Sequence, residues 1–344
     1  MRRLLALGLA LLAAVSCVGC SRQAASAMSE PQEAAGGLFA MDTYIDLTAY
    51  GPDAEAALDL AEARIRELES LWSVTDEGSE IYAANHSGGA AVSVSADTEE
   101  LLRFALDMAE ETGSALEPTI YPVLTAWGFT TDSYQIPAQE ELDRLLELVD
   151  YKAITLTDNT VTVPDGMMLD RGAVGKGYAA DETAAILREN GVESALLDFG
   201  GNILTVGTKP DGTPWRVGVR DPDSDGTLGM LEVIDQSVVV SGGYEKYFVG
   251  EDGERYWHII DPETGRPARS GLVQAAIVSQ ESRLCDALST AIFVMGLDEA
   301  VDYWQARQDF DMLLLTDDRE IYLTEGLRGA FTPWADHPVH ILTA

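Results

Sequence analysis

A chain of 344 residues, 46% of them hydrophobic, can bury a substantial core, which excludes a disordered polypeptide and predicts one large or two interleaved lobes. Its 58 acidic against 22 basic residues give a formal charge of -36, a field that repels phosphate backbones and argues against nucleic acid as a partner. An anionic ligand has to be held by local devices: a bound cation, helix N-termini or backbone amides.

Arg2 and Arg3 precede an apolar stretch, residues 4–15, too short to span a bilayer comfortably. With Ser16, Val18 and Gly19 beside Cys17 and Cys20, the segment predicts a lipoprotein-type signal over residues 1–19 and lipidation of Cys20, Cys17 being a second usable position. Residues 20–37, small and polar without periodicity, are expected to form a flexible tether, and residues 38–344 the folded domain. The expected location is extracytoplasmic, lipid-anchored to the cell membrane. Cys285 is the only remaining cysteine, so no internal disulfide framework is available.

A short strand is expected at 43–49, followed by an amphipathic helix over 53–71 with Ala57, Ala61, Ile65, Leu68 and Leu71 on one face. Further helices are predicted at 98–111 and 138–149. Alternation over 153–164 predicts a hairpin turning at Asp158-Asn159. A helix over 175–190 stops at Gly191, and an apolar strand over 194–199 runs into Gly200-Gly201. Strands at 203–206, 215–220, 228–241, 255–260 and 272–279 follow, then helices at 282–296 and 298–307 and a hairpin-like pair at 311–324. This order favours α+β over a doubly wound parallel sheet.

Residues 172–177 fail as a Walker A loop, because Asp170 stands where a glycine is needed and Gly177 where a hydroxyl is needed. The stretch 197–202 lacks the spacing of a dinucleotide-binding turn. A glycine-rich turn opening a helix has two remaining uses: it receives an anion or presents a carbonyl to a cation, or it simply allows close packing. Asp286 and Thr290 lie four apart on one helix face, and a carboxylate with a hydroxyl suits magnesium; helix capping and back-bonding are the plainer explanation of the same pair. His258 ends a strand beside a Pro/Gly turn, where a hydrogen-bonded structural role is the ordinary reading. Ser241-Gly242-Gly243-Tyr244 lacks the nucleophile-elbow spacing, so a hydrolase triad is discarded.

Taken in order, several pieces resemble the ApbE-like family of FAD:protein FMN transferases. They are Met41-Asp42-Thr43, Glu117-Pro118-Thr119-Ile120, Trp127-Gly128-Phe129, residues 169–181, Phe199-Gly200-Gly201-Asn202-Ile203, residues 215–222, residues 240–246, residues 258–265 and residues 286–291. The resemblance implies a single large α+β catalytic unit with a mixed or antiparallel sheet core and packed helices, related to the T-fold. It also implies that Asp286, Thr290 and the Ala173 carbonyl bind Mg2+, while Met41, Ala115, Leu116, Glu117, Asp170, Lys176, His258 and Ile259 contact FAD, the substrate. His258 and Asp286 are the implied catalytic residues, and FMN-acceptor flavoproteins such as subunits of membrane redox pumps the implied partners. Three positions depart from the family pattern: Arg171, Glu117, and Arg283, which stands where some members place an acidic ligand and is suited to approach a phosphate. Magnesium-dependent hydrolysis of FAD to FMN and AMP, or FAD binding without turnover, would use the same motifs.

Overall fold

The computed structural model describes residues 32–344; the expected signal segment, Cys20 and the first part of the expected tether lie outside the described residues. The expected domain start at 38 is too late. Residues 33–37 belong to strand β1 (Glu33–Ala40), which pairs antiparallel along its length with β2 (Thr43–Tyr50). Ala34, Ala35, Gly36 and Gly37 hide the strand in the sequence because they carry no apolar alternation. Their smallness instead lets Glu62 reach the strand, where its Oε1 accepts from the Gly37 amide at 3.1 Å.

Helix α1 (Ala54–Trp72) buries Ala57, Ala61, Ile65 and Leu68 as its periodicity predicts and adds Leu58 and Trp72, while Leu71, expected on that face, is only half-buried. Helix α2 (Glu80–Asn85), strand β3 (Ala91–Ser93), α3 (Ala96–Glu111), α4 (Tyr121–Trp127) and α5 (Gln139–Leu146) follow. Strands β4 (Thr155–Thr157) and β5 (Thr160–Thr162) form the expected hairpin, with Asp158 and Asn159 both in the left-handed region, and join β3 in a small sheet. Helix α6 (Gly175–Glu189) leads into β6 (Ser194–Phe199) and β7 (Ile203–Val206).

Beyond them lie β8 (Trp215–Arg220), β9 (Thr227–Val233) and β10 (Ser237–Gly242). The single strand expected at 228–241 is therefore two strands in different sheets. The chain breaks at Asp235, whose φ is 53° and whose carboxylate accepts from the Gly207 amide at 3.1 Å and from Arg188 at 2.8 Å. The strand expected at 255–260 is likewise split into β12 (Arg255–Trp257), paired with β11 (Tyr247–Val249), and β13 (Ile260–Asp261), paired with β14 (Arg266–Pro267). The remainder is β15 (Leu272–Ser279), α7 (Ser282–Met295), α8 (Leu297–Arg307), β16 (Asp311–Thr316), β17 (Ile321–Thr324), β18 (Phe331–Pro333) and β19 (Val339–Leu342).

Nine strands form the central sheet in the order β1-β2-β6-β7-β10-β15-β16-β17-β19, antiparallel except for β17 with β19. Helices α1, α6 and α7 pack together on one face over the main core, which includes Ile65, Trp72, Leu187, Phe199, Leu288 and Phe293. The sheet β18-β9-β8 brings Trp215, Val217, Leu231 and Phe331 against Val238 and Leu313 of the central sheet in a second apolar cluster. A third, much smaller cluster joins Val123, Trp127, Phe129, Leu142 and Ile260. Each large apolar side chain so buried contributes about 1.5–3 kcal/mol. Among the described residues no helix is long and apolar enough to cross a membrane.

Candidate functional site

Helices α6 and α7 cross closely at Gly177. A Cβ there would lie 2.6 Å from Arg283 Cα and 2.7 Å from Asp286 Cβ and would also strike the Ser282 carbonyl, so only glycine permits the approach. The Gly177 amide donates to Asp286 Oδ2 at 2.9 Å, and Asn202 Nδ2 donates to Oδ1 at 2.8 Å. Gly177 lies in the first turn of α6, whose amides have no carbonyl partner within the helix, so Asp286 caps that turn. The Ala173 carbonyl, just ahead of the helix cap at Val174, accepts no hydrogen bond among the described residues. The close packing at Gly177 is therefore real, and the turn ahead of it also leaves one carbonyl without a donor.

The start of α7 is capped from α6, where Asp181 accepts from the Ser282 and Arg283 amides at 2.8 and 3.0 Å. Burial pushes the Asp181 carboxyl up to about 6, against those two hydrogen bonds. Thr290 lies one turn beyond Asp286 on α7, lines the cavity described next, and makes no side-chain hydrogen bond among the described residues. A buried carboxylate, a free hydroxyl and a free carbonyl form an oxygen-only donor set, which fits a hard cation such as Mg2+ completed by phosphate oxygens and water. No group of three His, Cys, Asp or Glu side chains suited to a metal occurs among the described residues, so much of the coordination would have to come from outside the side chains of the chain.

The cavity beside this crossing is lined by Ala115, Leu116, Glu117, Asp170, Ala173, His258, Ile259 and Thr290, together with Ile120, Leu124, Ile260 and Pro262. Six of the eight residues implied to contact FAD thus come together from three separate segments. Glu117 is buried, but its carboxylate is spent internally. Oε1 accepts from the Thr119 amide at 2.9 Å and its hydroxyl at 2.6 Å, and Oε2 from the Tyr151 amide at 3.2 Å. Burial raises its carboxyl above the usual range, partly offset by the Thr119 bonds. Thr112 supports the same loop by accepting from the Leu116 amide at 3.1 Å. Burial also raises the Asp170 carboxyl, opposed first by Arg171 and then by the Gly172 amide.

His258 is half-buried, its amide donates to the Lys246 carbonyl at 3.0 Å and its Nδ1 lies 3.2 Å from the same oxygen. Only a protonated Nδ1 can bond that acceptor, so the neutral ring leaves Nε2 as an acceptor. Burial pushes the imidazole down to about 4, with the Lys176 and Lys246 charges acting in the same direction.

Met41 and Lys176 lie outside the lining. Met41 is part of the main core, its φ is 54°, and its amide donates to Glu69 Oε1 at 2.8 Å. Lys176, in the first turn of α6, acts on His258 and Glu245 through its charge. Arg283 does not reach for a phosphate: its guanidinium bonds Glu100 at 3.0 Å and sits over the Phe104 ring at 5.4 Å. Arg171 donates to the Trp72 carbonyl at 3.1 Å, supplying the end of α1 with a cation that its last turn lacks. Sequence reasoning assigned no role to Asn202; the only signal was an Asn directly after two glycines at a strand end.

The family model described as the ApbE family matches residues 41–314. A protein of Klebsiella pneumoniae named FAD:protein FMN transferase is 32% identical over 299 residues, covering 85% of this chain and 92% of the relative. A Treponema pallidum protein of the same name is 33% identical over 294 residues, covering 80% and 81%. The crystal structure of the ApbE protein from Thermotoga maritima superposes with a TM-score of 0.81 at 30% identity, covering 87% of this chain and 99% of that one. With the α+β architecture, the order of the motifs and matches over most of both chains in agreement, this chain belongs to the ApbE family.

Proposed function

We propose that the chain is a Mg2+-dependent FAD:protein FMN transferase that moves the FMN moiety of FAD onto a Thr or Ser hydroxyl of an acceptor flavoprotein and releases AMP. The observation that carries this reading is the unpaired Ala173 carbonyl and the uncommitted Thr290 hydroxyl on the wall of one cavity, with the held Asp286 carboxylate one helical turn from Thr290. In the reaction a bond forms between the acceptor oxygen and the FMN phosphorus, and the bond from that phosphorus to the bridging oxygen breaks. The electron pair leaves with AMP, and the hydroxyl proton passes to solvent water. Bound Mg2+ would neutralise diphosphate charge and stabilise the charge that develops on the leaving oxygen.

Asp286, Thr290 and the Ala173 carbonyl would hold the ion. The loop 115–117 and Ile259 shape the cavity that receives the substrate. His258, neutral at pH 7, accepts the acceptor hydroxyl at Nε2 and orients it, a role that asks less of the ring than holding a proton. No nucleophile from this chain is needed. Acceptors of the kind carried by membrane redox pumps, and an extracytoplasmic location with lipid on Cys20, complete the proposal. Cys20→Ser is expected to move the protein from membranes to a soluble or unprocessed pool, read by fractionation.

The deciding assay incubates the chain with FAD, Mg2+ and an acceptor fragment, following AMP release and, by mass spectrometry, an FMN adduct on Thr or Ser. Asp286→Ala is expected to reduce transfer by at least about a hundredfold. Thr290→Val keeps the shape, loses less, and is partly rescued by rising Mg2+ through mass action. Near-normal transfer by Asp286→Ala in chelator-treated buffer would sink the assignment. Equal AMP release with and without acceptor, and no adduct, would make the enzyme a hydrolase.

A further inference from the structure

The Asp286 carboxylate is held by two donors, and neither carries a charge. One is the Gly177 amide; the other is the side chain of Asn202, itself only 3% exposed, at 2.8 Å. A Lys or Arg in either place would orient the carboxylate but neutralise it. Neutral donors orient it and leave its negative charge available, and each oxygen keeps a lone pair beyond the one already used. No ion pair to Asp286 occurs among the described residues.

Asn202 is itself fixed by the backbone. It follows Gly200 and Gly201, both in the left-handed region, and its carbonyl accepts from the Phe199 amide at 2.9 Å while the Gly201 amide donates to Asp198 at 2.7 Å. Gly200 admits no side chain, since a Cβ would lie 2.8 Å from Thr43 Cβ, so the β6–β7 turn is seated against the start of β2. From the other side, the Asp286 carbonyl accepts from Ser289 Oγ at 3.0 Å, and that hydroxyl meets Ser241 of β10 at 2.8 Å. The main chain of Asp286 is thereby pinned from β10 and its side chain from the β6–β7 turn.

We propose that Asn202 is a positioning residue that fixes the Asp286 carboxylate in the orientation a divalent cation requires, without drawing off its charge. This rests on the metal-dependent reading of the site. Loss of such a supporting partner typically weakens metal affinity by about tenfold to a hundredfold. Asn202→Leu removes the donor while keeping the approximate size.

The test uses the full chain with Mn2+ as the probe, its affinity read by electron paramagnetic resonance in the presence of FAD, alongside thermal unfolding and Mg2+-dependent transfer. For Asn202→Leu the expected result is a melting temperature near that of the parent, Mn2+ affinity weaker by about tenfold to a hundredfold, and transfer recovering at high Mg2+ with an unchanged KM for FAD. In an Asp286→Asn background, Asn202→Leu is expected to add almost nothing. Unchanged Mn2+ affinity in Asn202→Leu, or full additivity with Asp286→Asn, overturns the proposal. Parental Mn2+ affinity in Asp286→Asn alone would instead overturn the metal reading itself. Should Asn202→Leu not fold, Asn202→Asp decides: two adjoining carboxylates repel until a cation joins them, so Mn2+ should raise its melting temperature more than the parent's, and an equal rise overturns the proposal.

Discussion

The α6–α7 wall of the cavity and the wall made by residues 115–118 and 258–262 differ in what backs them. The first stands on the main core, with Val174, Tyr178, Ala287 and Leu288 packed beneath it, and its polar groups meet through a helix crossing closer than any side chain would permit. The second is irregular backbone apart from the two-residue strand β13, backed in part by the small cluster around Trp127 and Ile260 and tied by single polar struts. Those struts are Glu117 to Thr119 and Tyr151, Thr112 to Leu116, Trp127 to the Gly265 carbonyl at 2.7 Å, and His258 to Lys246. In the function proposed, the charge used for chemistry sits on rigid elements, while the surface that would receive the ligand is carried by loops, each held by a few bonds. The first wall should therefore break on added volume, the second on a lost acceptor.

The largest effect is expected from Gly177→Ala. By intrinsic propensity, alanine in a helix is about 0.5–1 kcal/mol better than glycine. Here the methyl would collide with Arg283 Cα, Asp286 Cβ and the Ser282 carbonyl, and separating two packed helices costs about 1–3 kcal/mol or more. Thermal unfolding should show destabilisation, the opposite sign to propensity, and FMN transfer should fall by at least about a hundredfold. A melting temperature above the parent's would show that the crossing is soft and the contrast between the walls false.

Glu117→Ala tests the other wall with a smaller effect. It strands the Thr119 amide and hydroxyl and the Tyr151 amide, at a cost of about 1–3 kcal/mol. Because those groups shape the loop and do not touch the reacting centre, steady-state kinetics should show KM for FAD raised about tenfold with kcat within a factor of about three, the pattern of lost binding. An equal fall in kcat would place Glu117 in the chemistry.

The difference between the walls also governs how much of the site was legible. Asp286 and Thr290 could be paired because four-residue spacing on a periodic helix is a local property. Arg283 was misread because its partner, Glu100, lies 183 positions away. The bond of Glu117 to Tyr151 could not be seen because the two become neighbours only after folding, and Asn202 carries no sign of its bond to position 286. The hairpin at Asp158-Asn159 was visible from turn chemistry, whereas β1 was not, since its small residues serve the approach of Glu62 and show no alternation. Asp235 hid a sheet change inside an apolar run, its bend being stabilised by Gly207 and Arg188.

The smallest effect, and the sharpest test of whether the loop wall is dry, is the pH dependence that His258 imposes on stability. Its imidazole is pushed down to about 4 in the folded chain from 6.5 when free. Between those values the unfolded chain binds the extra proton, so stability rises with pH in that window. The contribution is complete above about 6.5 and is lost as pH falls toward 4. For a half-buried ring, screening by water reduces the full linkage, and about 1–2 kcal/mol is expected. Many carboxylates titrate nearby, so the measurement is a difference: melting temperature from pH 7.5 to 4.5 for the parent against His258→Gln, which keeps a polar side chain but cannot ionise. The parent should lose more stability on acidification than the variant, with the curves diverging below about 6.5. Parallel curves would mean that the imidazole ionises as it does in water, and that the wall carrying His258 is open to solvent and not sealed by Phe129 and Ile259.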